Sequence, residues 1–109
     1  MRMREKSLRD YGITAEDEEK LKIKVKNLSE IEREHLVYAA LSSCDPLLAV
    51  SVIRSIEEGL SYDKLNKKQY IPALPDDFYG YRRKTIATFY DRLRLFGLWE
   101  DLKQNHTGQ

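Results

Sequence analysis

Apolar residues through the middle of the chain recur every three or four positions, the spacing of a helix that buries one face. A Ser-x-x-Glu capping box at Ser29 precedes the first such stretch, and an Asp-Pro pair at Asp45 precedes the second, which Gly59 ends. These signals predict helices over residues 30–43 and 46–58. Because the connection between them is so short, the two helices are expected to form an antiparallel hairpin.

A less regular pattern precedes the hairpin. Three apolar residues alternate along it, which is also the period of a strand: Leu21, Ile23 and Val25. Thr14 is a suitable N-cap, and acidic side chains follow it directly while lysines come later, an order that complements the helix dipole. The charge order favours a helix over residues 15–26. Residues 1–13 are predicted to be an arm or a short helix.

The last third of the chain is predicted to contain a short helix, a connector and a long helix. Ser61 caps the short helix, in which Tyr62 and Leu65 are the apolar residues. Residues 70–75 contain two prolines and are therefore expected to be non-helical. The long helix is predicted over residues 77–96.

Capping signals and an apolar stripe define this long helix. Asp76 or Asp77 is the predicted N-cap, and Gly97 is predicted to end the helix with Leu98 covering Leu93, as in a Schellman motif. The predicted buried stripe consists of Ile86, Phe89, Leu93 and Phe96.

Composition supports a helical domain with its own core. Leu, Ile, Val and Phe make up 28 of the 109 residues, and Ala, Glu, Lys, Leu and Arg make up 49. We predict one all-α domain over residues 1–109. Its parts are the arm 1–13, a helical part 14–60, a helix-turn-helix-like unit 61–97 and a tail 98–109. In the tail, Trp99 and Leu102 are expected to fold back on the core, and residues 103–109 are expected to fray.

Several classes of function find no support in the sequence. The longest apolar run, residues 36–41, is far shorter than the roughly 20 residues of a membrane span, so no membrane contact is expected. The charged N-terminus lacks the apolar segment of a secretion signal, which predicts a cytoplasmic protein. Cys44 is the only cysteine and is expected to be a core thiol. With two histidines and no known catalytic motif, we predict no enzymatic activity, cofactor or metal site.

Basic charge is concentrated in the last third of the chain. Residues 61–96 contain eight basic and four acidic side chains, a net charge of +4. Three consecutive cations, Arg82 to Lys84, stand near the start of the predicted long helix, where cations oppose the helix dipole. An external anion would explain them. Opposite the predicted stripe lie Gly80, Arg83, Lys84, Ala87, Thr88 and Asp91, and the small residues among them would let a nucleic-acid backbone approach.

These observations predict a set of contacts to duplex DNA. Phosphate contacts are assigned to Lys67, Lys68, Tyr79, Tyr81, Arg82 and Lys84. Arg83 and Thr88 would lie nearest to the base edges. In the alternative interpretation, Phe78, Tyr79 and Tyr81 belong to the core or its edge, and Arg82 and Arg83 pair with Asp76 and Asp77.

The order of segments also resembles a known family. The residues that carry the resemblance are Gly59-Leu60-Ser61-Tyr62-Asp63-Lys64-Leu65 and Phe78-Tyr79-x-x-Arg82-Arg83-Lys84-x-Ile86-x-x-Phe89-x-x-x-Leu93. Residues 59–97 resemble the C-terminal helix-turn-helix of small phage and prophage transcriptional regulators of the RinA and ArpU type, which look like region 4 of sigma factors. The resemblance implies that Tyr62 and Leu65 anchor the first helix and that residues 78–88 face DNA.

The predicted function is DNA binding in the transcription control of a mobile element, with a homodimer or the transcription machinery as possible protein partners. The connector before the long helix is longer than the usual turn of three or four residues. If it does not turn tightly, the long helix packs in a bundle with residues 30–58. The alternative function is a helical adaptor that binds protein, in which the Tyr/Phe/Arg cluster of residues 78–84 is an interface hot spot.

Overall fold

The computed structural model describes residues 7–99, which form five α-helices and no strand. The helices are α1 (Ala15–Lys24), α2 (Glu30–Ser43), α3 (Pro46–Glu58), α4 (Tyr62–Asn66) and α5 (Pro75–Leu95). A 3-10 turn, Arg9–Tyr11, precedes them among the described residues. The prediction of an all-α fold is confirmed. The predictions for Leu102 and for residues 103–109 lie outside the described residues.

Four helices begin at the N-caps that the sequence predicts. The side chains of Thr14, Ser29, Asp45 and Ser61 each accept a hydrogen bond from the backbone N–H three residues later. The predicted bounds of α2 and α3 are confirmed, including the capping box at Ser29. Helix α1 ends at Lys24 rather than at residue 26 because the chain tightens there into backbone bonds that span three residues.

The start of α5 differs from the prediction. Neither Asp76 nor Asp77 is the N-cap; Leu74 holds that position and Pro75 is the first helical residue. Proline suits this place because its fixed φ is helical and its missing N–H would have no partner there. Both aspartates then lie in the first turn, where their charge complements the helix dipole.

The end of α5 is a Schellman motif, as predicted. Leu98 N–H donates to the carbonyl of Leu93 at 2.7 Å, and Gly97 N–H donates to Arg94 at 3.3 Å. Gly97 has a φ of 73°, a left-handed conformation that favours glycine. The chain then turns back, and Trp99 packs edge-on against Tyr90 with 5.1 Å between ring centroids. The predicted return of Trp99 to the core is therefore confirmed.

Helix α5 is the central element of the fold. It runs antiparallel to α2, as the contact of Arg92, near the end of α5, with His35, near the start of α2, shows. Two turns earlier, Lys84 lies close enough to Cys44 at the end of α2 to affect the pKa of that thiol. Contacts with α3 and α4 surround α5 further. The long helix thus follows α4 across the connector 67–74 and also packs in a bundle with the α2–α3 hairpin.

Because α5 packs against several helices, its buried residues cover more of its surface than the single apolar stripe that the sequence predicts. Ile86, Phe89 and Leu93 are buried as predicted, whereas Phe96 is 56% exposed, so its place in the stripe is wrong. The buried residues of α5 are Phe78, Gly80, Thr85, Ile86, Ala87, Phe89, Tyr90 and Leu93. They meet a core contributed by every other helix, with Leu21, Leu36, Val52, Ile56 and Leu65.

Candidate functional site

The face of α5 that was expected to meet DNA is partly inside the protein. Gly80 and Ala87 are buried, so the prediction that they line an open face is wrong. The reason is the position of α5 between α2, α3 and α4, which covers two sides of the helix. Tyr81, Lys84 and Thr88 lie half-buried on the remaining outer strip, together with the exposed Asp91. Arg83 is also half-buried.

Two of the predicted DNA contacts make hydrogen bonds within the fold. The hydroxyl of Tyr79 accepts a bond of 2.8 Å from the backbone N–H of Tyr62. Arg82 Nε donates to Ser55 Oγ at 2.9 Å. These bonds connect α5 to the start of α4 and to α3. The alternative interpretation places Phe78 and Tyr79 in the core or at its edge. Phe78 is fully buried, and Tyr79 is half-buried and hydrogen-bonded to Tyr62, as that interpretation predicts.

The alternative pairing of Arg82 with an aspartate does not occur. None of the ion pairs formed by residues 7–99 includes Arg82. Burial instead lowers the pKa of its guanidinium, and the nearby Tyr79 opposes this effect in part.

Exposed charges around α4 and the start of α5 have opposite signs. Lys67 and Lys68 are exposed at the end of α4, as is Lys64 within it. Asp76 and Asp77 are exposed in the first turn of α5. A recognition helix presents this turn to DNA, and two carboxylates there would repel phosphates. Lys67 and Lys68 are therefore the predicted contacts that the fold leaves most open to a nucleic acid.

A cluster of ring and guanidinium groups lies on the surface between α2 and α5, and the sequence did not single it out. His35 and Tyr38 come from α2, Arg92 comes from α5, and Phe96 is its C-cap. The Arg92 guanidinium lies 3.9 Å from the Tyr38 ring centroid and 5.1 Å from that of Phe96. Arg92 Nε donates to His35 Nδ1 at 3.0 Å, and the His35 and Phe96 rings lie 4.8 Å apart. We call these four residues the α2–α5 aromatic cluster.

The Arg92 guanidinium joins the rings of Tyr38 and Phe96, and both of these rings stay open to solvent. Tyr38 is 57% exposed and Phe96 is 56% exposed. Exposed apolar side chains occur on the same helices: Ile31, Leu41 and Leu95. Helical spacing places Ile31 and Leu41 with Tyr38 on the outer face of α2. In the sequence, this surface is indicated by apolar residues that recur at helical spacing on both sides of Tyr38.

The lone thiol is part of the fold. Cys44 is half-buried at the end of α2, and its Sγ donates to the carbonyl of Ala40 at 3.3 Å. Burial, with a smaller effect of Asp45, raises the pKa of the Cys44 thiol to about 11. The thiol is therefore protonated at neutral pH, as expected of a structural cysteine rather than of a nucleophile.

Comparison with models of protein families, with curated proteins and with solved structures finds no match. Within residues 7–99, no helix combines the length and apolar character needed to cross a membrane. The same residues bring together no group of three or more His, Cys, Asp or Glu side chains that could hold a metal ion. Two exposed regions stand out as candidates for binding, the α2–α5 aromatic cluster and the lysines of residues 64–68.

Proposed function

We propose that this protein is a helical interaction module that binds a protein partner through the α2–α5 aromatic cluster. The observation that carries the proposal is the exposure of Tyr38 and Phe96 around the guanidinium of Arg92. Tyrosine and arginine are among the residues most enriched at the energetic centres of protein interfaces. The tyrosine ring supplies large apolar area together with a hydroxyl group that can bond to a partner.

The contacts within the cluster support binding in a second way. Ordering a long side chain at an interface costs about 0.5–1.5 kcal/mol, and this cost is reduced when the side chain is already held. Arg92 is held by its hydrogen bond to His35 and by the ring of Tyr38 beneath it. Ile31, Leu41 and Leu95 extend the exposed apolar surface on the same helices. Large apolar side chains grouped in this way are typical of interaction sites.

Site-specific cross-linking in cells tests the proposal. Tyr38→p-benzoylphenylalanine places a photoreactive ring in the cluster, and the same substitution at the exposed Tyr70 is the matched control. We expect a discrete cross-linked species from position 38 that position 70 does not give. A product of twice the chain's 12.8 kDa would identify a homodimer, and a different mass would identify another protein.

The identified partner is then purified and its affinity measured. Tyr38→Ala is expected to weaken binding by about 2 kcal/mol, roughly thirtyfold, as at an interface hot spot. Cross-linking that is equal at positions 38 and 70, or an affinity that Tyr38→Ala leaves unchanged, would contradict the proposal.

DNA binding is the second candidate, and the exposure of Lys64, Lys67 and Lys68 favours it. Closely spaced lysines attract phosphates without reading sequence. The resemblance of residues 59–97 to phage regulators supports this candidate and extends it to transcription control. A partner protein and a nucleic acid would then use different surfaces.

Fluorescence anisotropy with random duplex DNA tests this second candidate. Affinity should fall steeply with salt, and the double variant Lys67→Ala/Lys68→Ala should lower the slope by about 0.9 per lost phosphate contact. Lys26→Ala, which removes an exposed lysine after α1, is the control. Absence of binding at low salt would remove this candidate and leave the interaction module in place.

A further inference from the structure

A small cavity lies outside both candidate surfaces. Its volume is about 110 Å³, and it lies between the N-terminal segment, α1, α3 and α5, partly open to solvent. Five apolar side chains form most of its wall: Leu8, Leu21, Val25, Ile56 and Ile86. Three charged side chains complete it: Glu18, Lys22 and Arg82. The cavity therefore combines an apolar interior with ionic groups, as small-molecule sites do.

Arg82 is the unusual member of this set. Its only hydrogen bond to the described residues runs from Nε to Ser55 Oγ, which leaves both Nη atoms without a protein acceptor there. No carboxylate of residues 7–99 lies within 4.0 Å of its nitrogens. Arg33 and Arg54, by contrast, pair with Glu57 and Glu58. The two Nη atoms are not among the buried side-chain atoms that lack a partner, so they are open to solvent and can donate to an anion that enters the cavity.

The other charged groups of the cavity already offset one another. Lys22 Nζ lies 3.9 Å from a Glu18 oxygen and 3.1 Å from a Glu19 oxygen. Two carboxylates thus hold the Lys22 cation on the α1 side, and the three charged side chains of the cavity wall, Glu18, Lys22 and Arg82, have a net charge of +1. The positive charge of Arg82 remains, and the bond to Ser55 orients its planar fork of donors.

We propose that this cavity binds a short aliphatic carboxylate. The carboxylate accepts hydrogen bonds from the two Nη atoms of Arg82, the pairing that guanidinium geometry favours. The hydrocarbon chain lies among Leu21, Val25 and Ile56. An apolar cavity of about 150 Å³ holds the six carbons of benzene, so the smaller volume here fits a chain of about four or five carbons.

Titration of the wild-type protein with isovalerate, followed by NMR of the leucine, isoleucine and valine methyl groups, tests the proposal. Isoamyl alcohol and isopentylamine are the matched neutral and cationic probes. Isovalerate is expected to shift the methyl signals of Leu21, Val25, Ile56 and Ile86 saturably, with Kd near or below about 1 mM. The amine should not bind. Equal binding of all three compounds, or no saturable shift with isovalerate, would overturn the proposal.

Two variants and one control variant locate the site. Arg82→Met keeps the aliphatic stem but removes the charge, and should weaken isovalerate binding by about tenfold or more. Lys84→Met removes a cation from the outer strip of the same helix and should leave binding unchanged. Ile86→Phe should fill the cavity and abolish binding while circular dichroism stays helical. Unchanged binding by Arg82→Met would refute the assigned contact, and the probe series on the wild type decides the proposal if a variant does not fold.

Discussion

Phe89 and Phe96 offer a matched pair of substitutions that measures what burial contributes in α5. They are the same residue type, they lie seven positions apart, and their spacing predicts that both are buried. In the fold, Phe89 is 0% exposed and Phe96 is 56% exposed. Truncating each to alanine removes the same atoms from two environments.

The expected costs follow from these exposures. Phe89→Ala leaves a cavity in a closed core, for which about 3–5 kcal/mol is typical. Phe96 buries less than half of its surface, and complete burial of a phenylalanine is worth about 1.5–3 kcal/mol, so Phe96→Ala should cost about 1 kcal/mol. A chain of 109 residues has a total stability of about 5–15 kcal/mol, so the first loss is a large share of the total.

Urea and thermal unfolding, followed by far-ultraviolet circular dichroism, measure the difference. At about 4–8 °C per kcal/mol, Phe89→Ala should lower Tm by more than about 10 °C, and Phe96→Ala by far less. Phe89→Leu is a milder variant should the alanine variant be unfolded. Equal losses from the two alanine variants would show that Phe96 is buried and that the assigned packing of α2 against the end of α5 is incorrect.

Three further predictions concern α2. Burial raises the pKa of the Glu32 carboxyl, but the Lys24 ammonium at 2.6 Å and the hydrogen bonds with Ser29 outweigh burial, so this pKa lies below its ordinary 4.5. The ionised Glu32 therefore stabilises the fold above pH 4.5, and this stabilisation is lost as the pH falls through the pKa of Glu32 in the folded protein. Glu32→Gln should flatten this acid limb of stability measured against pH, and an unaltered limb would contradict the assignment. Ser29→Ala should cost about 1 kcal/mol in urea unfolding because the cap is lost, and no change would show that the cap contributes nothing. Cys44, with its pKa of about 11, should react with iodoacetamide much more slowly in the folded protein than in denaturant, and equal rates would argue against its burial.

The beginnings and ends of helices in this protein are determined over a few residues of chain. The capping box at Ser29, the N-cap Asp45 and the left-handed Gly59 each act within about four positions. Their residue types therefore predict the bounds of α2 and α3. The start of α5 shows the limit of such signals, because Leu74, Pro75 and Asp76 are all compatible with a helix start and only the geometry of the connector selects among them.

Which side of a helix is buried depends on how many neighbours surround it, and this is a property of the whole fold. Helix α5 meets α2, α3 and α4, so Gly80 and Ala87 are covered although they lie away from the apolar stripe. Phe96 lies where α5 ends beside the first turns of α2, and His35 and Arg92 contact its ring there while 56% of the residue stays exposed.

The candidate sites depend on contacts that are distant along the chain. Tyr79 and Arg82 are withdrawn from the surface by bonds to Tyr62 and Ser55, 17 and 27 residues away. Tyr38 and Arg92 join across the α2–α5 contact, and their spacing in sequence gives no sign of it. The positions of the helices and of their caps could be deduced from the sequence because both depend on residues that are close together along the chain. The exposed aromatic cluster and the half-buried arginine exist only once the helices have packed, since packing alone sets which side chains meet and which remain open to solvent.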